Sequence, residues 1–144
     1  MERLSPSDLF VRGVWQIVPD TENLTWVDRA ANLAASDEPL GDYGPLMRRF
    51  LEAGISHADI ARFARIVGYQ VAFGLCYYLG DPHQAYEGFD DEQDEVTWEL
   101  FNTDPDTDEP RQPLPGIHES LLSADPTGSE MRPPTDIGRQ QADE

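Results

Sequence analysis

The sequence predicts a mainly α-helical protein, a small bundle around one long buried helix at about residues 57–79. Three observations favour this fold class: apolar residues at helical spacing, capping residues ahead of these runs, and an irregular acidic C-terminal third rich in proline. The chain has 144 residues, about the length of one domain and enough for a hydrophobic core. We therefore expect residues 1–101 to form a helical domain, which could extend to residue 124.

Two helices are expected before residue 36. Residues 5–8 (Ser-Pro-Ser-Asp) suit a helix start because proline is tolerated in the first turn, and apolar residues then recur up to Ile17. Asp20 or Thr21 can cap a second helix that holds Leu24, Val27, Ala31 and Ala34.

A third helix is expected from Leu46 to Ala53, after a loop rich in turn-forming residues. The long central helix follows at once. Ser56 can cap its first turn, and Asp59 lies three residues later, as in a capping box. Gly80 favours a helix end at that position.

One face of the central helix carries large apolar side chains, which we expect to be buried. Beside it runs a row of small residues that would let a neighbouring helix approach closely. If the large residues are buried, truncation of Phe63, Val67 or Val71 to alanine should cost about 2–5 kcal/mol. The large residues are Ile60, Phe63, Val67, Val71, Leu75 and Tyr78, and the small ones are Ala61, Ala64, Gly68 and Ala72.

The same helix is predicted to lie in a protein core and not in a membrane. Its uncharged run, residues 66–79, is shorter than the roughly 18 to 20 residues that a bilayer requires. The chain has one cysteine, Cys76, which cannot form an internal disulfide, and its N-terminus lacks the pattern of a signal peptide. We therefore expect a cytoplasmic protein with no membrane partner.

The region after Gly80 is predicted to be mostly irregular. Residues 96–101 alternate like a strand, but because no partner strand is evident we favour a short helix there. We expect residues 102–124 to be irregular apart from a short helix at 117–123. Residues 125–144 are expected to form a disordered tail, and deletion of residues 126–144 should leave the unfolding midpoint almost unchanged.

Negative charge is concentrated in the same region. The formal net charge is −18, all ten cations are arginines, and residues 81–109 contain twelve acids and no cation. Such a surface repels nucleic acids and anionic membranes and attracts basic proteins. The alternative interpretation is an acidic flank that only keeps the protein soluble.

Three histidines offer another interpretation, in which the protein is a metal-dependent or acid–base enzyme. His57, His83 and His118 lack the spacing of a helical zinc site, and one cysteine cannot build a thiolate site. Cys76 lies in an apolar helix, where a thiolate nucleophile is disfavoured. The sequence therefore predicts neither a metal site nor a cofactor.

Two further segments resemble known motifs in part. Residues 104–108 resemble the opening of a calcium-binding loop, but Glu109 replaces the required glycine and Pro115 the bidentate glutamate. Residues 51–62 resemble the first half of a helix-turn-helix, yet the second helix continues without a turn. Neither segment predicts a specific calcium or DNA site.

The leading functional hypothesis is a non-catalytic acidic binding protein that engages a basic protein partner, as inhibitors, immunity proteins and nucleic-acid mimics do. Besides the histidine enzyme, a self-associating helical scaffold remains an alternative, in which association would bury leftover apolar surface such as Trp15, Trp26 and Trp98. The residues expected to contact the partner are Glu87, Asp90, Asp91, Glu92, Asp94, Glu95 and Trp98.

Overall fold

A computed structural model describes residues 3–81 and 97–134 of the chain. These residues are mainly helical, which confirms the predicted fold class at that level. The elements in chain order are α1 (Pro6–Ile17), α2 (Thr25–Ala31), α3 (Tyr43–Glu52), α4 (His57–Gly80), β1 (Phe101–Thr103), β2 (Pro110–Pro113) and α5 (Ile117–Leu121).

The starts of α1 and α4 lie where the sequence predicts them, and each is capped by a serine. In α1, the main-chain nitrogen of Asp8 donates to the hydroxyl of Ser5 at 3.1 Å, and the Asp8 carboxylate accepts a bond from the Ser5 nitrogen. In α4, the nitrogen of Asp59 donates to the hydroxyl of Ser56, also at 3.1 Å. Both caps satisfy main-chain donors that a helix start leaves without intrahelical partners.

The two intervening helices differ from prediction at their boundaries. Helix α2 begins at Thr25, later than a cap at Asp20 or Thr21 implies, and the side chain of Asn23 accepts a bond from the Thr25 nitrogen at 3.1 Å. Helix α3 begins at Tyr43, three residues before the predicted start at Leu46. Gly54, with a φ of 85°, follows the end of α3 in a conformation that favours glycine.

The chain forms two compact units, one over Val18–Val71 and one combining Met1–Ile17 with Ala72–Glu144. In the first unit, α2 and α3 pack together around a small apolar core. Arg48 stabilises the packing of α3 against the end of α2, because its Nη1 donates to the carbonyl oxygens of Ala31 and Leu33 at 2.5 and 2.9 Å. The buried core residues are Val27, Ala30, Ala31, Met47 and Ile60.

The face of α4 that is buried in this unit is the one with small side chains. Ala61 is fully buried, and a Cβ on Gly68 would lie only 2.8 Å from the Cδ of Pro19. Arg65 is also buried, and its Nη1 donates to the carbonyl oxygen of Pro19 at 3.1 Å. The segment at Pro19 therefore approaches α4 closely where the helix has little side-chain volume.

The predicted burial of the large apolar face of α4 is wrong. Phe63 is 67% exposed, Val67 41%, Val71 65% and Leu75 57%, whereas Ile60 on the edge of that face is buried. The apolar periodicity gives the helix and its limits correctly. It does not show which of two uncharged faces the neighbouring segments cover.

In the second unit, β1 and β2 form an antiparallel hairpin. Phe101 pairs with Pro113, Asn102 with Gln112, and Thr103 with Pro110. The short helix favoured at 96–101 is therefore wrong, because residues 97–100 have no regular structure and residue 101 begins a strand. Its partner is a proline-containing segment that resembles a loop in sequence.

Helix α5 supplies buried apolar residues to this unit. Ile117 and Leu121 are almost completely buried, as is Val11 of α1. The indole of Trp15 donates a hydrogen bond to the carbonyl oxygen of Leu121 at 2.8 Å. Leu122, in contrast, is exposed.

Residues 125–134 form turns around one buried carboxylate, although the sequence predicts disorder from residue 125. Asp125 is only 5% exposed. It accepts bonds from the nitrogen and hydroxyl of Thr127, the hydroxyl of Ser129 and the nitrogen of Met131, at 2.9–3.2 Å. Residues 135–144 lie outside the described part of the chain.

Candidate functional site

Of the seven residues predicted to contact a partner, the structure describes one, Trp98. The other six are Glu87, Asp90, Asp91, Glu92, Asp94 and Glu95, which lie outside the described residues.

Trp98 is held in place at the protein surface. Its indole nitrogen donates to the carbonyl oxygen of Tyr78 at 3.0 Å. The two rings meet edge to face, with centroids 4.6 Å apart. The side chain is 36% exposed, so part of the indole stays open to solvent. Trp98 therefore combines a fixed orientation with an accessible aromatic surface, as aromatic anchors in protein interfaces do.

A cleft of about 400 Å³ lies beside Trp98, and we call it the Trp98 cleft. Its described lining includes apolar residues and two acidic residues, Asp81 and Glu99, and none of these lining residues is a cation. Asp81 and Thr97 flank the undescribed segment that carries the six predicted acids. The described lining consists of Leu79, Gly80, Asp81, Thr97, Trp98, Glu99, Leu100, Leu114 and Pro115.

A second surface feature lies on α4, where four large apolar side chains are exposed at four-residue spacing. We call Phe63, Val67, Val71 and Leu75 the α4 stripe. Residues four apart lie on neighbouring turns of a helix, so the stripe extends about 18 Å along α4. Helix α4 carries no charged residue after Arg65. A row of exposed apolar side chains without charge is typical of a surface that contacts another molecule.

The sequence marks these residues as a set but assigns them to the core. Their spacing is the signal, and it is the same for a buried and an exposed face. The sequence does not predict the Trp98 cleft, for a different reason. Leu79, Trp98 and Leu114 are distant in sequence, and only the fold brings them together.

The histidines are placed as follows. His57 Nε2 lies 2.8 Å from a carboxylate oxygen of Asp28, and both side chains are substantially exposed. The ring of His118 packs against Tyr77 and Phe73, with centroid separations of 4.6 and 5.7 Å, and its buried Nδ1 has no hydrogen-bond partner within the described residues.

His57 and His118 belong to different compact units, and His83 lies outside the described residues. Within residues 3–81 and 97–134, no group of three or more histidine, cysteine or acidic residues is placed to hold a metal ion.

Asp104, the first residue of the segment that resembles a calcium loop, uses its carboxylate to hold the hairpin turn. It accepts bonds from the nitrogens of Asp106 and Thr107 at 2.8 and 3.3 Å and pairs with the guanidinium of Arg111. These bonds, that of Arg111 above all, lower the pKa of Asp104 below its usual value.

Cys76 is buried with 2% of its surface exposed. Burial raises the pKa of its thiol, because the charged thiolate is disfavoured away from water. The neutral thiol is a weak nucleophile, so this environment suits a packing role.

The described helices include none with the length and apolar character needed to cross a membrane. Comparisons of the chain with protein families, with curated proteins and with solved structures found no match.

Proposed function

We propose that the protein is a non-catalytic binding protein that engages a basic, amphipathic segment of a partner protein. The observation that carries the proposal is the α4 stripe, in which Phe63, Val67, Val71 and Leu75 are each more than 40% exposed. Exposed apolar side chains at helical spacing form a continuous row. The apolar face of an amphipathic helix can pack against such a row.

The net charge indicates the character of the partner. The chain carries a formal charge of −18, and its longest acidic run follows directly after α4. A partner with basic residues beside its apolar face would be attracted at long range and then held by apolar contact. The stripe would supply most of the affinity, and the acids would mainly raise the association rate.

A synthetic peptide pair tests this proposal without a known partner. One peptide is a basic amphipathic helix of leucine and lysine, and the other has the same composition in an order without an apolar face. Binding of each labelled peptide to the full chain is measured by fluorescence anisotropy. We expect the amphipathic peptide to bind more tightly by about tenfold or more, since only it can cover the stripe.

Paired variants locate the binding surface. Phe63→Ser with Val71→Ser should weaken binding of the amphipathic peptide by about tenfold. The control, Leu9→Ser with Ile17→Ser, removes two exposed apolar residues from α1 and should leave binding unchanged. Equal binding of both peptides, or unchanged binding in the stripe variant, would show that charge alone attracts the peptide. An equal loss in both variants would show that the apolar contact is not specific to the stripe.

The acidic segment makes a separate contribution. Replacing Asp90, Asp91, Asp94 and Glu95 with their amides should slow association with the amphipathic peptide and reduce the salt dependence of binding. If the association rate and its salt dependence stay the same, these acids serve only solubility.

Self-association is a second candidate function, and the same stripe favours it. Because the stripe carries no charge, two copies could pack their α4 helices along four-residue ridges, which cross at about −50°. The large negative charge on each copy opposes this association. Light scattering coupled to gel filtration decides the point: a dimer that the stripe variant converts to a monomer would support self-association.

A further inference from the structure

The Trp98 cleft has a chemical character that the α4 stripe lacks. Its described lining residues combine Trp98 and several apolar residues with the acidic residues Asp81 and Glu99. An indole face attracts cations through its quadrupole, and the negative charge of Asp81 and Glu99, with no cation among the described lining residues, adds to that field. The lining therefore suits a ligand that is cationic at its tip and apolar along its stem.

We propose that the Trp98 cleft binds an arginine side chain of the partner protein. A guanidinium is planar, stacks on an indole and can form paired hydrogen bonds with a carboxylate. Its aliphatic stem can lie against apolar walls such as Leu100 and Leu114. A lysine ammonium is more strongly hydrated and has no flat surface to stack, so it fits this lining less well.

The orientation of Trp98 supports this assignment. Its nitrogen is already bonded to the carbonyl oxygen of Tyr78, and the edge-to-face contact with the Tyr78 ring fixes the plane of the indole. An aromatic surface that is held before binding loses little side-chain entropy when a ligand stacks on it.

This inference rests on the proposed binding of a basic protein but can be tested apart from it. The ligand is N-acetyl-arginine methylamide, titrated into the full chain while the indole N–H signal of Trp98 is followed by nuclear magnetic resonance. Trp98→Phe identifies that signal by its absence. The citrulline analogue is the matched uncharged ligand, and the lysine analogue tests the cation type.

We expect the arginine ligand to shift the Trp98 signal at millimolar concentrations and to bind about tenfold more tightly than the citrulline ligand. The lysine ligand should bind more weakly than the arginine ligand. Equal binding of citrulline and arginine would overturn the charge argument, and equal or tighter binding of lysine would overturn the arginine assignment. The absence of any shift up to the solubility limit would overturn the site itself.

A matched pair of variants separates the cleft from the overall charge. Asp81→Asn with Glu99→Gln should weaken arginine binding by about tenfold. Asp37→Asn with Glu38→Gln changes the net charge by the same amount at exposed positions of the other compact unit and should have no effect. An equal loss in both variants would assign the binding to general charge and overturn the cleft.

The same titration distinguishes a failure of this inference from a failure of the proposed function. The variant with Phe63→Ser and Val71→Ser should lose binding of the amphipathic peptide and keep binding of the arginine ligand. If wild-type protein binds the peptide through the stripe but shows no response to arginine, the cleft proposal fails alone.

Discussion

The indole nitrogen of Trp15 donates a hydrogen bond to the carbonyl oxygen of Leu121 at 2.8 Å, although 106 positions separate the two residues. Both residues are buried, so water cannot readily replace either partner. This bond joins α1 to α5 and thus links the two sequence segments that form one compact unit.

Replacement of Trp15 by phenylalanine should therefore destabilise the protein. The carbonyl oxygen of Leu121 would lose the indole donor and keep only the longer bond from the Ala124 nitrogen at 3.3 Å. The lost bond should cost about 0.5–1.5 kcal/mol, and the lost packing of the buried indole adds to that cost. Urea denaturation measures the change in the free energy of unfolding.

The control is Trp26→Phe, which removes an exposed bond to the carbonyl oxygen of Asp20. Water can replace that bond, so its loss should cost under about 1 kcal/mol. Equal costs for the two substitutions would contradict the difference in burial.

Asp125→Ala should also destabilise the compact unit that contains α1 and α5. The free energy of unfolding should fall by about 1–3 kcal/mol, because the substitution removes the acceptor of two main-chain and two side-chain donors. The sequence alone predicts no cost for deleting residues 126–144. The structure predicts a measurable loss for that deletion, because it removes Thr127, Ser129 and Met131, and a smaller loss for ending the chain after residue 134, which keeps these three donors to Asp125. Thermal unfolding of the two truncated chains distinguishes these predictions.

The pairing of Asp104 with Arg111 predicts a loss of hairpin stability in acid. The pKa of Asp104 is lowered by Arg111 first and by the bond from the Asp106 nitrogen second, so the folded hairpin favours the carboxylate form. A lowered pKa contributes stability above the ordinary aspartate pKa of about 4, and this stability is lost as the pH falls through the lowered value.

Nuclear magnetic resonance of the Asp104 carboxyl carbon measures this pKa directly. Arg111→Gln should raise it towards the ordinary value. Asp8 is the control. Its pKa should not change in this variant, because the bonds that lower it come from Ser5. An unchanged pKa for Asp104 in this variant would show that the turn nitrogens, and not Arg111, dominate.

The helix starts could be predicted from sequence because their causes are local. A serine hydroxyl and a main-chain nitrogen three residues later suffice to cap a helix, and both Ser5 and Ser56 do so. The hairpin could not be predicted in the same way. Phe101 pairs with Pro113, twelve positions away, and proline in the second strand conceals the pairing.

The candidate site could be predicted only in part. The sequence predicts a contact at Trp98 because an aromatic residue beside an acidic run suits a partner, and in the structure Trp98 lines a cleft. Leu114 and Pro115 carry no comparable signal, since their position depends on the hairpin turning the chain back. The exposed face of α4 was assigned to the core because sequence periodicity does not record which face its neighbours cover.

Two truncations on α4 test the exposure of the stripe most directly. Ile60→Ala should cost about 2–5 kcal/mol, because Ile60 is buried with Val27 and Met47. Val71→Ala should change the free energy of unfolding by less than about 0.5 kcal/mol, because the valine is 65% exposed and alanine favours helices. If Val71→Ala costs as much as Ile60→Ala in a monomer, another part of the chain covers the stripe, and the partner's contact must lie elsewhere. If the cost of Val71→Ala appears only at high protein concentration, a second copy covers the stripe, because stability that depends on association depends on concentration.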